Sequence, residues 1–157
     1  VVHRVNNNSK LAGGFFSFAV GTLLTLLNYR DKRMRVRVDG LTLDQTVKEI
    51  VIAIGQFDGG GMHVAPNARI DDGLFEVYII GRLTVGAALW NLPLIYRGEM
   101  TKRPDLVKYF RARSIAVACP EQVFINTDGE MPGYVPASVE ILPNALNVIT
   151  GWATRGG

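Results

Sequence analysis

Apolar runs alternate with turn dipeptides along this chain, and their spacing predicts a mainly β fold. Residues 33–38 (Arg33-Met34-Arg35-Val36-Arg37-Val38) alternate strictly, so a strand there turns three arginines to one face and Met34, Val36 and Val38 to the other. Asp39-Gly40 closes that strand in a turn. Residues 46–54 are predicted as the next strand, with an apolar end from Val51 to Ile54. Residues 74–80 suit a buried strand. Thr84 is placed to cap a helix running through Ala87, Leu89, Trp90 and Leu94 to Tyr96, which Pro93 should kink or interrupt. Residues 97–113 read as a basic connection carrying Arg97, Lys102, Arg103, Lys108, Arg111 and Arg113. Strands are predicted at 114–119, 122–127, 138–142 and 146–150, with the short spacing of a sandwich. Asp128-Gly129 is the favoured dipeptide for a two-residue hairpin turn.

The beginning of the chain reads differently. Residues 1–5 suit the end of a strand, and Asn6-Asn7-Asn8-Ser9 is a polar turn or cap. Residues 11–27 carry no charge, a length at the lower limit for a membrane span. Gly13, Gly14, Ser17, Gly21, Thr22 and Thr25 dilute the apolarity, so a buried helix over 15–29 is the expectation.

Between two predicted strands lies an irregular stretch that opens on Gly59-Gly60-Gly61 and closes on Asp72-Gly73. Pro66 blocks a helix across its middle. Such backbone needs partners for its carbonyls, and a cation serves as well as water or other protein groups. On residue pattern alone, a well-made loop and a cation-held loop both remain open.

Length and composition narrow the class. The 157 residues suit one domain, 1–157, and 48% hydrophobic with 20% charged residues is ordinary for a globular chain. The formal charge of +3 is mildly basic and compatible with work near phosphates or lipid headgroups. The row Arg33, Arg35, Arg37 has the same two readings, a solvated face or a contact for acidic headgroups. One cysteine, Cys119, excludes an internal disulfide and is compatible with the cytoplasm. The chain opens Val1-Val2-His3 without a signal-peptide pattern, as expected of a piece of a longer polypeptide.

Candidate chemistry is sparse. His3 and His63 lie far apart in sequence and Cys119 has no partner at metal spacing, so zinc or Cys–His chemistry has little support. No Gly-x-Ser-x-Gly elbow and no Gly-x-x-x-x-Gly-Lys phosphate loop occurs. What remains is a set of acids at turns: Asp58, Asp71, Asp72, Asp128 and Glu130. Asp128 and Glu130 flank one glycine, so both carboxylates can project from one hairpin tip, as part of a plain turn or of a catalytic pair.

The segments Ala53-Ile54-Gly55-Gln56-Phe57-Asp58-Gly59-Gly60-Gly61-Met62, Ala65-Pro66-Asn67-Ala68 and Asp72-Gly73-Leu74 occur in that order. Arg97-Gly98-Glu99, Asp128-Gly129-Glu130 and Leu142-Pro143-Asn144-Ala145 follow. In order and approximate spacing, over essentially the whole chain, they resemble the C-terminal domain of the diacylglycerol kinase and sphingosine kinase superfamily, whose fold is shared with NAD kinases. Two departures stand out. Ile54 occupies a position where many members have asparagine, and Met100 one where some bacterial members have histidine.

The resemblance implies an antiparallel β-sandwich with one long helix and one or two shorter ones. It also implies a missing N-terminal nucleotide-binding domain with a Gly-Gly-Asp-Gly-Thr motif, which this chain lacks. The parent would be an ATP- and Mg²⁺-dependent kinase for the hydroxyl of a diacylglycerol- or sphingosine-like lipid. It would be cytoplasmic and peripheral at the membrane surface, with a homodimer allowed and no nucleic-acid partner. By the same resemblance Asp128 is the general base and Glu130 supports it. The Asp72 carboxylate and the Arg69 and Leu74 carbonyls are the protein ligands of a structural Mg²⁺. The alternatives are a non-catalytic lipid- or partner-binding module and a kinase for a soluble acceptor such as NAD.

Overall fold

A computed structural model describes residues 30–147, and the expected strand at 1–5, the expected helix at 15–29 and most of the expected strand at 146–150 lie outside them. Nine strands, one α-helix and two short 3-10 turns make up the described residues. Strands β1 (Lys32–Val38), β2 (Leu41–Val47), β6 (Ser114–Ala118) and β9 (Ala137–Glu140) form one antiparallel sheet in the order β2-β1-β6-β9. Strands β3 (Glu49–Ala53), β4 (Phe75–Ile80) and β5 (Val107–Ala112) form a second, in the order β3-β4-β5. Strands β7 (Phe124–Thr127) and β8 (Glu130–Tyr134) pair only with each other. The expected mainly β, antiparallel architecture is therefore correct.

The alternation in β1 is realised as expected. Met34, Val36 and Val38 are buried while Arg33, Arg35 and Arg37 are exposed. The inward residues of β1 meet Phe75, Val77 and Ile79 of β4, together with Val47, Ala112, Ile115 and Val123, in the core between the two larger sheets. On the outer face Asp44, across from Arg35 on β2, takes ion pairs from Arg33 at 2.8 Å and Arg35 at 3.3 Å. Pairs this exposed contribute little to stability.

Strand β4 organises the rest because both its faces are buried. Phe75, Val77 and Ile79 enter the sandwich core, while Tyr78 and Ile80 enter a second cluster with Val64, Ala65, Ala68, Met100 and Val107. A strand covered on both sides reads as a continuous apolar run, which is why 74–80 was identifiable.

Three expectations need correction. The single strand expected over 46–54 is two strands, β2 and β3, which belong to different sheets. The chain changes sheets at Lys48, whose N–H donates to Ile80 O at 2.8 Å. The crossing falls at the charged pair Lys48-Glu49, which reads equally well as the solvated face of one continuous strand. The basic connection 97–113 contains strand β5, whose Lys108 and Arg111 project outward while Val107 and Ala112 are buried. Helix α1 (Val85–Tyr96) runs through Pro93 without interruption. Pro93 removes only the bond to Leu89 O, and both residues lie on the exposed side, where water can satisfy that carbonyl. Thr84 caps the helix as expected, its Oγ1 accepting from Ala87 N at 3.3 Å.

Candidate functional site

Two of the sandwich hairpins are built on the same dipeptide. Asp39-Gly40 joins β1 to β2, and Asp128-Gly129 joins β7 to β8. Both have positive φ at both central residues, 44° and 94° in the first and 46° and 94° in the second. Those values are demanded by the mirror-image turn that fits strand twist, and Asp followed by Gly tolerates them.

The two aspartates are nevertheless used differently. The Asp39 carboxylate accepts from Arg113 N at 3.0 Å, and from Ser114 N at 2.8 Å and Ser114 Oγ at 3.1 Å. Those backbone donors of Arg113 and Ser114 hold it below the usual carboxylate range. Asp39 is thus a structural clamp between the first hairpin and the start of β6. The Asp128 carboxylate makes no hydrogen bond or ion pair among the described residues, and neither does that of Glu130. Both side chains are exposed at the tip of the β7–β8 ribbon. The turn is instead held by Asn126, whose Oδ1 accepts from Gly129 N at 3.1 Å. The expected pair therefore sits on one hairpin, and among the described residues neither carboxylate has a hydrogen-bond or ion-pair partner.

The irregular stretch after β3 is ordered by its own polar groups. Asp58 Oδ1 accepts from Gly59 N at 2.7 Å, and Ala65 N donates to Gln56 O at 3.1 Å. The Gln56 amide donates to Ala68 O at 3.3 Å. The motif segments converge on this loop. A methyl group added to Gly98, which has φ of 69°, would lie 2.8 Å from His63 Nδ1 and 3.0 Å from Pro66 Cβ. One added to Gly73 would lie 3.3 Å from Pro143 Cγ. Segments 97–99 and 142–145 thus touch the 63–73 loop, although they are far from it in sequence.

At the end of that loop Asp72 is already engaged. Its Oδ1 accepts from Leu74 N at 3.0 Å, and its Oδ2 pairs with Arg111. Arg111 also donates through Nε to Glu76 Oε1 at 2.9 Å, across the β4–β5 register that sets these two residues opposite each other. Arg69 pairs with Asp71, whose carboxyl it holds below the usual range.

Glu76 is 1% exposed, and its second oxygen has no hydrogen-bond partner among the described residues. Burial, and the Glu76 charge next to it, push the Tyr78 hydroxyl far up. Tyr109, whose ring lies 5.2 Å from that of Tyr78, is pushed up to about 12 by burial and by Glu76. Both hydroxyls therefore stay protonated at neutral pH.

Glu76, Arg111, Tyr78 and Tyr109 were not expected as a group. The signal was Glu76 as the one charged residue inside the apolar run 74–80. Two carboxylates, Asp72 and Glu76, share one guanidinium. The Asp72 carboxylate and the Arg69 and Leu74 carbonyls form an oxygen-only set of the kind that suits a hard cation retaining several waters. By donor type alone these residues suit Mg²⁺, and Arg111 already competes for Asp72. Among the described residues there is no cluster of three or more His, Cys, Asp or Glu at metal-binding distance.

Comparisons with known proteins bear on the family and the fold. The family model described as "YegS C-terminal NAD kinase beta sandwich-like domain" matches residues 1–150. A diacylglycerol kinase of Staphylococcus carnosus (strain TM300) is 25% identical over 96% of this chain and 49% of its own. One of Staphylococcus saprophyticus is 26% identical over 87% of this chain and 45% of its own. The chain therefore spans about half the length of the curated relatives it matches. A crystal structure of a proposed diacylglycerol kinase from Bacillus anthracis str. Sterne superposes with a TM-score of 0.67 at 20% identity, covering 86% of this chain and 46% of that one. A diacylglycerol kinase structure from the same organism gives 0.58 at 17% identity, covering 77% and 43%. At these identities the structural likeness speaks for the fold.

Proposed function

The chain belongs to the family of YegS C-terminal NAD kinase-like β-sandwich domains, whose relatives here include diacylglycerol kinases, and from that premise we propose that it is the acceptor-side domain of an ATP- and Mg²⁺-dependent lipid kinase. The acceptor is the hydroxyl of a diacylglycerol- or sphingosine-like lipid. The nucleotide binds mainly to an N-terminal domain of the same polypeptide, and the enzyme works peripherally at the cytoplasmic membrane surface.

The observation that carries the catalytic assignment is the contrast between the two Asp-Gly turns. Asp39 is consumed by structure, whereas Asp128 occupies the same conformation with no partner among the described residues. In the reaction the Asp128 carboxylate accepts the proton of the lipid hydroxyl as that oxygen bonds to the γ-phosphorus and ADP leaves. Glu130, two residues away on β8, supports the position of the reacting groups. Phosphoryl transfer rests chiefly on positioning and charge stabilisation, so a free carboxylate at a rigid hairpin tip is a suitable device.

Mg²⁺ would be held by the Asp72 carboxylate and the Arg69 and Leu74 carbonyls, and it supplies positive charge that fixes the loop between β3 and β4. The substitution Asp72→Asn preserves the turn, because an amide oxygen still accepts from Leu74 N. It removes the anionic ligand, so Mn²⁺ affinity measured by electron paramagnetic resonance should fall by at least about tenfold. Equal Mn²⁺ binding by both proteins removes Asp72 from the site.

The two-domain division has its own test. Residues 1–157 contain no glycine-rich phosphate loop, and tight triphosphate binding needs oriented backbone N–H groups with positive charge. Calorimetric titration of the 157-residue chain with Mg-ATP should therefore give no micromolar binding. Micromolar affinity would place the nucleotide site within this domain and end the two-domain reading.

A further inference from the structure

Helix α1 carries no charge and only Asn91 among strongly polar side chains, yet it lies at the surface. Its sequence, Val85-Gly86-Ala87-Ala88-Leu89-Trp90-Asn91-Leu92-Pro93-Leu94-Ile95-Tyr96, contains no charged residue. One side is accounted for: Ala88 is buried, and Ile95 packs with Leu83 and Leu106 against the second core cluster. The opposite side is not. Gly86, Leu89, Trp90 and Pro93 are all exposed, Leu89 at 47% and Trp90 at 84%. At 100° per residue these four positions fall on one stripe, and the next position along it is the exposed Arg97, at the helix C-cap. Arg82, also exposed, precedes the helix.

A helix that is hydrophobic all round is ordinarily covered on all sides. The charge pattern favours one kind of cover. A second copy packed helix on helix would bring Arg97 onto a helix that carries no carboxylate of its own, and a poorly paired buried charge is costly. An anionic bilayer meets both halves of the stripe. Leu89 and Trp90 enter the boundary between headgroups and acyl chains, and Arg97 and Arg82 donate to headgroup phosphates.

We propose that helix α1 is a membrane-docking helix, lying in the interface of an anionic bilayer on its Gly86–Leu89–Trp90–Pro93 stripe with Arg97 on the headgroups. This rests on the lipid-kinase reading above, whose acceptor resides in a bilayer, and it names the part of the domain that reaches the acceptor's surroundings. Arg82 is shared with Asp31 at 3.7 Å, so Arg97 carries most of the electrostatic part. Glu99 follows on the loop beyond the helix; it pairs with Lys102 at 2.6 Å and also lies within electrostatic reach of Arg97. Lys102 takes its direct ion pair, so Arg97 keeps its own donors for a headgroup.

The test uses the 157-residue chain carrying Trp152→Phe, which leaves Trp90 as the sole tryptophan. Vesicles contain equal parts phosphatidylcholine and phosphatidylglycerol, with no diacylglycerol and no ATP present. Lipids brominated near the top of the acyl chain should quench Trp90 emission on binding. In co-sedimentation, Trp90→Ser (with Trp152 restored) and Arg97→Glu should each weaken vesicle binding by about tenfold or more.

Absence of vesicle binding overturns the proposal. So does binding that both substitutions leave unchanged with Trp90 unquenched, which would assign attachment to another surface. A dimer in sedimentation velocity that Trp90→Ser converts to monomer, without vesicle binding, overturns it in favour of a second copy. Because no phosphoryl transfer is measured, failure of the kinase reading and failure of the docking helix are separate results. A kinase active on soluble acceptors whose α1 still binds vesicles refutes only the former.

Discussion

Replacing Asp128 with asparagine in the complete polypeptide should lower kcat by about 10²–10⁴-fold, the usual contribution of a positioned base. The thermal midpoint should stay within a few degrees. Asparagine also accepts positive φ, so the turn at 46° survives, and Asn126 rather than Asp128 supplies the hydrogen bond that closes it. The KM for ATP should change little, since the nucleotide sits mainly on the other domain.

Asp39→Asn is the matched control. It has the same residue, turn and substitution, but its carboxylate clamps Arg113 and Ser114. It should lose stability and keep kcat. If the two variants behave alike, the difference between the two turns has no functional meaning. Wild-type turnover in folded Asp128→Asn protein returns Asp128 to the role of a turn residue.

The second large effect is on stability. Gly98→Ala should destabilise the domain by about 2–4 kcal/mol, from a positive φ that costs about 1–2 and from crowding of comparable size. The neighbours cannot easily withdraw. His63 is stacked on Phe57 with ring centroids 4.5 Å apart and planes 11° from parallel, and Pro66 is a rigid ring in a tethered loop. The thermal midpoint should fall by roughly 5–15 °C. Gly40→Ala isolates the conformational part, since a methyl group there meets nothing within 4 Å despite φ of 94°. Gly98→Ala must cost clearly more than Gly40→Ala. Equal costs mean that segment 97–99 does not press on the 63–66 loop.

How far the sequence foretold the molecule depends on the kind of signal. Strands β1 and β4 were recognisable because burial writes itself as alternation in one and as a continuous apolar run in the other. Strand β5 was not, because Lys108 and Arg111 look like a charged connection until Glu76 is seen opposite Arg111. The division between β2 and β3 was missed although the charged pair Lys48-Glu49 marks it, because two charges in a strand read as a solvated face and the change of sheet shows only in hydrogen-bond partners. Pro93 was read by its missing N–H, but the cost is small where the widowed carbonyl faces water.

At the site, the dipeptide Asp128-Gly129 announced its turn. Nothing local distinguished it from Asp39-Gly40, because the difference lies in donors more than 70 residues away in sequence. The Asp72 turn was likewise expected, whereas its tie through Arg111 to Glu76 needed the β4–β5 register.

The most direct test of the account is phosphoryl transfer from γ-labelled ATP by the complete polypeptide that carries this domain. Diacylglycerol and sphingosine in mixed micelles, and NAD in solution, are offered as separate acceptors with Mg²⁺. Label is expected in a lipid product and none in NAD. Label in NAD alone, or no transfer to either lipid by folded protein, rules out the lipid-kinase reading.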